Sequence, residues 1–476
     1  MPSPWVTIDF EGHSLRCRAD TSVAVALWEQ GIRVLSHSPK FGRPRGLHCA
    51  RGLCTGCLMR VDGVPHVRTC QTPVRDRMRV ERQGGGPFYA GPLRRALDMA
   101  GTLAPVGFYF KWFTRPAALS RLFLKQLRPL TGHGRLPDPE VWRAPRPPAQ
   151  VTLTGTGGPA AGQPPRFDHV VVGAGLSGLR AAQGLTGRTL LVDDQPEPGG
   201  QRWPVVRDLA RQWGTDLERF PCLAALARSL HDAIDRLPAR ADLERAFARR
   251  VVAGYWPDQL LLKHGAGLSV LRALSLHWMA GGLDRLGLFP GNDLPGLFGP
   301  RGLYRLLARD RMQVRNSRVV VTGGGLDLWL AASALHGCGA KVSVVLSEEG
   351  WPHETTAAVD LRWRLHAGYN LASVRPRGRS LALAFMVRED DPAFLNLECD
   401  FAVVARPGKP VYDIPYQLGV PLVLDPERGG YAPRDLKAGR FDAELDGGLT
   451  CHIAGEAAGQ RPEALVALSD HGEVRV

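Results

Sequence analysis

At 476 residues the sequence is too long for one hydrophobic core, since single domains usually run about 100–200 residues, so two to four domains are expected. Hydrophobic residues at 44% and charged residues at 22% fit globular domains and exclude a disordered chain. The net charge of +14 comes from 60 basic residues, only seven of them Lys, spread along the chain instead of gathered into a stripe, so nucleic acid is not an expected partner.

No run of about 18 apolar residues exists to span a bilayer, and MPSPWVTIDFEG lacks the build of a signal peptide, so a cytoplasmic protein is expected. In chain order, residues 6 to 18 alternate apolar and polar around Glu11-Gly12 and predict a hairpin, followed by a short helix from Ser22 to Gly31. A second hairpin should turn at Asp62-Gly63. Residues 1 to 83 thus read as a β-grasp, ferredoxin-like unit that needs a metal centre, because so small a core has little to spare.

Around the second hairpin lie Cys49, Cys54 and Cys57 before it and Cys70 at its end, with four, two and twelve residues between them. The Cys-x4-Cys-x2-Cys start is the plant-type [2Fe-2S] spacing, and Gly46, Gly52 and Gly56 suit a loop that turns backbone N–H groups towards anionic sulfur. Zinc is the rival, but its usual paired Cys-x2-Cys knuckles are absent. The other five cysteines are scattered singly and read as core residues, not a disulfide framework.

Residues 84 to 150 predict one or two amphipathic helices, a docking segment with the aromatic run Gly107 to Arg115, and residues 151 to 165 a linker. The pattern changes at Phe167. Apolar runs (DHVVVGAG, TLLVDD, RVVVTGGG, KVSVVL, CDFAVVA) alternate with helical stretches, the signature of α/β units on a parallel sheet. Two Rossmann-like dinucleotide folds are expected, one inserted in the other: residues 167–282 with 405–476, and residues 283–404.

The first fold opens with Val170 to Gly178, a strand running into Gly-x-Gly-x-x-Gly. Gly173 permits the turn, Gly175 the pyrophosphate's approach and Gly178 close helix packing, with Leu176 and Ser177 in the helical turn that would meet phosphate. An acid about 20 residues on should hold the ribose, and Asp193, beside Asp194, stands there. The second opening keeps Gly323 and Gly325 but has Leu328 for the third glycine, and Ser347 or Glu348 would have to replace the ribose acid, so NAD(P) binding there stays open.

These motifs, with PRGLHCARGLC, VGFYFKWFTRP, GHGRLPDPE, DQPEPGGQ, FPGNDLPGLFG and CHIAGEAAGQ, occur in an order that resembles the sarcosine oxidase α-subunit family. The short members fit best, as in hydrogen cyanide synthase, opine oxidase and proline or hydroxyproline dehydrogenase complexes. The resemblance implies FAD at the first fold, with Gly200 and Gln201 along the flavin and Gly455 and Glu456 near its ribityl phosphate; it admits FMN at a subunit interface. Departures are Gly455-Glu456 for the usual Gly-Asp, Met279-Ala280-Gly281-Gly282 for the usual Ala-Thr-Gly, a chain end at Val476 that leaves the last flavin-facing helix short, and no folate-binding half.

The resemblance further implies an electron-transfer subunit beside an FAD-dependent amine or imino-acid oxidase-like partner, passing electrons to an external acceptor. Catalytic residues would then lie on the partner, and no amine-oxidation pair is recognisable in this chain. The sole Cys-x2-Cys, Cys54 to Cys57, belongs to the cluster motif, against a disulfide reductase. Two alternatives remain: a self-sufficient NAD(P)H-dependent flavin and iron-sulfur reductase, and a non-catalytic scaffold.

Overall fold

The computed structural model describes residues 5–38, 43–83, 115–121, 164–237, 239, 241–265, 267–347, 363–387, 394–425, 430–437 and 439–460. The aromatic run Gly107 to Arg115, nearly all of the expected docking segment and linker, Glu348 and the last residues to Val476 lie outside these, apart from Arg115 itself.

Alternation in the first eighteen residues produces the strands Trp5–Phe10 and His13–Arg18, paired antiparallel around the left-handed Glu11-Gly12 turn. The strands Leu58–Val61 and Val64–Arg68 turn at Asp62 and Gly63, both at positive φ, the geometry a two-residue hairpin requires. With Arg79–Arg82 they complete a five-stranded sheet, covered by the buried helix Val23–Glu29.

The next sheet has a parallel centre. Strand Arg166–Val172 lies between Thr189–Val192 and the long strand Gly267–Trp278, and Leu243–Ala246 and Thr450–Ile453 extend it on either side. A second parallel sheet joins Leu297–Phe298, Phe401–Ala405, Arg318–Gly323, Lys341–Leu346 and Arg364–Ala367. Its central strands Arg318–Gly323 and Phe401–Ala405 are buried on both faces, as their apolar runs demand, and its helix Leu326–Gly337 is buried almost all round.

The N-terminal unit packs on this second fold. Trp28 meets the rings of Phe298 and Phe401 at 5.3 and 6.0 Å, and Arg18 donates to the carbonyls of Asp310 and Arg311. The helix Pro300–Ala308 lies directly on the cysteine loop, since a Cβ on Gly302 would fall 2.7 Å from the His48 carbonyl. Among the described residues no helix is long and apolar enough to cross a membrane.

Three histidines meet on neighbouring parallel strands. His277 is only 8% exposed; its ring stacks on His452 at 4.6 Å, and its Nε2 lies 3.3 Å from His169 Nδ1. Burial, then the charges that His452 and His169 can carry, push its pKa down to about 3. Unfolded histidine titrates near 6.5, so the unfolded chain takes up this proton first. Stability is therefore intact above about pH 6.5 and falls on acidification, by up to about 1.4 kcal/mol per pH unit from this group. Denaturant titrations across that range should show a shallower acid limb for His277→Gln; an unchanged limb would contradict the assignment.

Candidate functional site

The four motif cysteines converge. Cys49 contacts both Cys54 and Cys70, and Cys57 contacts Cys70, so the thiols form the pairs 49/54 and 57/70 joined at one edge. Donation from Cys54 and then Cys70 pulls the Cys49 pKa far down, and Cys70 lowers Cys57 in the same way. The two donors are pushed correspondingly up, by the partner thiols first and burial after.

Backbone N–H groups of Arg51 and Cys54 point to Cys49 Sγ at 3.5 and 3.3 Å, and Gln71 Nε2 to Cys70 Sγ at 3.7 Å. Ala50 and Gly52 take left-handed backbone, and a Cβ on Gly56 would collide with the Gly46 carbonyl at 2.4 Å, so the loop is wound as tightly as its glycines allow. Among the described residues no group of three or more His, Cys, Asp or Glu is gathered to hold a single ion. Two thiol pairs with surrounding N–H donors suit two bridged irons, each with two protein ligands, and this donor set fits a [2Fe-2S] cluster.

The first glycine turn is built as its spacing predicts. Gly173, at φ +105°, would place a Cβ 2.2 Å from the Met279 carbonyl, and Gly178 one 1.7 Å from the Gly173 carbonyl. Gly175 has nothing within 4 Å of its Cβ position, which opens into a cavity of about 440 Å³, a size usual for small-molecule sites. Leu176, Ser177, Gly200, Gln201, Asp193, Asp194 and Glu456 also line it, whereas Gly455 is buried beside it. The helix Leu176–Gly184 points its N-terminus at this space, so the turn fits the diphosphate of a dinucleotide such as FAD.

Asp193 is more occupied than an exposed ribose acceptor. Its oxygens accept from the N–H groups of Ala174 at 2.6 Å and Gln195 at 2.7 Å, while burial and then Asp194 push its pKa up to about 6. Asp194 is paired with Arg250 at 2.6 Å and Arg51 at 3.7 Å; burial alone would raise it, but these arginines hold it down at about 2.

At the other end Glu456 does something its motif did not announce. Arg202 donates to both its oxygens at 2.8 Å and also forks onto Asp327 at 2.8 and 2.7 Å; Arg301 reaches Glu456 at 2.6 Å and Asp284 at 3.1 Å. Burial penalises every one of these charges, yet their partners win: both arginines are raised, and Asp327 and Glu456 lie well below the usual carboxylate range. Asp327 belongs to the first turn of the helix after Gly323 and Gly325, so that turn's helix N-terminus already faces a carboxylate of its own chain. Ser347 donates to the Gly323 carbonyl at 3.2 Å, and Leu328 is fully buried.

The fold and site define a ferredoxin-like cluster domain joined to a two-dinucleotide-fold, flavoprotein-type body. Residues 3–85 match the family of 2Fe-2S iron-sulfur cluster binding domains. Sarcosine oxidase subunit alpha of Rhizobium meliloti is 24% identical over 312 residues, 61% of this chain but only 29% of that protein. Hydrogen cyanide synthase subunit HcnA of Pseudomonas aeruginosa is 37% identical over 78 residues, 16% of this chain and 74% of that one. Among solved structures, L-proline dehydrogenase from P. horikoshii superposes with a TM-score of 0.56 at 16% identity, covering 100% of this chain and 75% of that chain, a likeness of fold. The chain belongs to the sarcosine oxidase α-subunit family, in the form that carries an N-terminal [2Fe-2S] domain.

Removing one partner from a buried charge network costs about 3–5 kcal/mol, because the remaining charges stay desolvated. Glu456→Gln, which keeps the shape, should lose about 3 kcal/mol in chemical denaturation. A loss within experimental error would mean that the network is not part of the folded core.

Proposed function

We propose that this chain is the flavin and iron-sulfur electron-transfer subunit of a heteromeric amine or imino-acid dehydrogenase or oxidase of the sarcosine, proline, hydroxyproline or opine type. One observation carries the reading: Arg51 and Leu53, from the loop between Cys49 and Cys54, line the same cavity as Gly173, Gly175 and Asp193. The cluster loop and the dinucleotide site thus lie in direct contact within one chain, as a cluster and a flavin working in one unit require. When bound, flavin would supply two-electron and the cluster one-electron chemistry. Cys49, Cys54, Cys57 and Cys70 would hold the cluster. The Gly173 to Gly178 turn, Asp193 and Gly200 would hold the FAD diphosphate and ribose.

The partner in this reading is a separate FAD-dependent subunit that oxidises a secondary amine or imino acid, with this chain relaying electrons to an external acceptor and FMN admitted at their interface. The names of two relatives support a subunit role, each being a subunit of a larger enzyme. Direct use of NADH or NADPH is disfavoured by Asp327, whose carboxylate stands in the first helical turn where a nucleotide phosphate would have to approach. In this reading the chain divides into a cluster domain at 1–83, a docking segment and linker at 84–166, an FAD-binding domain at 167–282 with 405–476, and a second dinucleotide-type domain at 283–404.

Protein purified anaerobically with its partner should contain about two irons and two sulfides per chain and give a rhombic EPR signal on reduction. Cys57→Ser should abolish both. Gly175→Val should fold normally, since its Cβ position is open, yet lose bound flavin from this chain with iron unchanged. Zinc in place of iron, full flavin retention by Gly175→Val, or rapid flavin reduction by NADH would each count against the reading.

A further inference from the structure

Arg51 serves two sites at once. Its backbone N–H points at Cys49 Sγ at 3.5 Å, whereas its side chain, 11% exposed, leaves the cysteine loop and ends on the dinucleotide fold. There Nη2 lies 3.7 Å from Asp194 Oδ2. With the Gln201 amide turned so that its oxygen faces the guanidinium, that oxygen accepts from Nη1 at 3.0 Å and Nη2 at 2.6 Å. Both anchors line the cavity, as Arg51 itself does.

Three arginines, Arg51, Arg249 and Arg250, line this end of the cavity against two carboxylates, Asp193 and Asp194. Arg250 shares Asp194 with Arg51, and Arg305 stands within their electrostatic reach. Nε of Arg51 and both Nε and Nη1 of Arg305 are buried with no hydrogen-bond partner among the described residues. An anionic ligand at this end of the cavity would meet the charge of the lining Arg51, Arg249 and Arg250.

We propose that Arg51 is a nucleotide-binding residue supplied by the cluster loop, closing the ribose and diphosphate end of the cavity over an adenosine diphosphate-containing ligand. This rests on reading the cavity as a dinucleotide site. Because one residue belongs to both sites, occupancy of the cavity is felt at the cluster, and by linkage the order of the cluster loop sets nucleotide affinity by the same factor. A residue that only ties the loop to the body would produce neither effect.

The test uses the full chain, anaerobically purified with its cluster, stripped of nucleotide and titrated with ADP and with FAD by calorimetry. Arg51→Gln should weaken both by about tenfold or more with iron content unchanged, a loss of one charge-assisted contact. EPR g-values of the reduced cluster should shift on adding ADP to the parent protein and not to the variant. If Arg51→Gln loses iron, Arg51→Lys takes its place, and weakened ADP binding at full iron again supports the proposal. Parent-like affinity in either iron-replete variant, while Gly175→Val abolishes binding, overturns the role of Arg51 and leaves the dinucleotide reading standing. A parent protein that takes up neither ADP nor FAD overturns both.

Discussion

The two dinucleotide folds are held against each other by the buried charges of Arg202, Arg301, Asp327 and Glu456, and the rest of the site is arranged around them. Arg202 follows the Gly199-Gly200-Gln201 stretch of the first fold, Asp327 starts a helix of the second, and Glu456 comes from the last described turn. No single pair could offset the desolvation of these groups; the network survives because each arginine bridges two acids and Tyr304 adds a hydrogen bond to Asp327 at 2.9 Å. Two consequences follow together. The network walls one end of the cavity and ties the helix after the second fold's glycine turn to the first fold.

One short helix transmits this arrangement to the cluster. At its start, Pro300–Ala308 is capped by Asp284, which accepts from the N–H of Gly302 at 2.8 Å, and it delivers Arg301 to the network. At its end, Arg309 donates to the Cys70 carbonyl at 2.7 Å. Between them Gly302 lets the cysteine loop approach within backbone contact. The cluster loop is therefore braced on the same element that organises the far end of the cavity, while Arg51 braces it on the near end.

Much of this was legible in the sequence, and the boundary between what was and was not is physical. The cysteine spacing and the first glycine turn are mostly local: Cys49, Cys54 and Cys57 share one loop and Gly178 packs on the Gly173 carbonyl, although Gly173 itself also meets Met279 from a distant strand end, so spacing specifies most of the geometry. The hairpins at Glu11-Gly12 and Asp62-Gly63 are equally local. By contrast, Arg51 meets Asp194 and Gln201 across more than a hundred residues, and nothing in GLHCARGLC marks that arginine as different from its neighbours. Glu456 was noticeable only as a departure from Gly-Asp; that it answers Arg202 and Arg301 depends on two other segments arriving at the same point. The histidine stack is invisible for the same reason, since three parallel strands distant in sequence supply one ring each.

The central claim is that the cluster and the cavity beside it form one electron-transfer unit, and photoreduction of the anaerobic, FAD-loaded chain tests it most directly, with flavin followed by absorbance and the cluster by EPR. Electrons placed on the flavin should appear on the cluster, and Gly175→Val should remove the flavin and with it that route. A cluster that stays oxidised beside a fully reduced flavin at potentials where dithionite reduces it, or a chain that holds no flavin at all, would contradict the account.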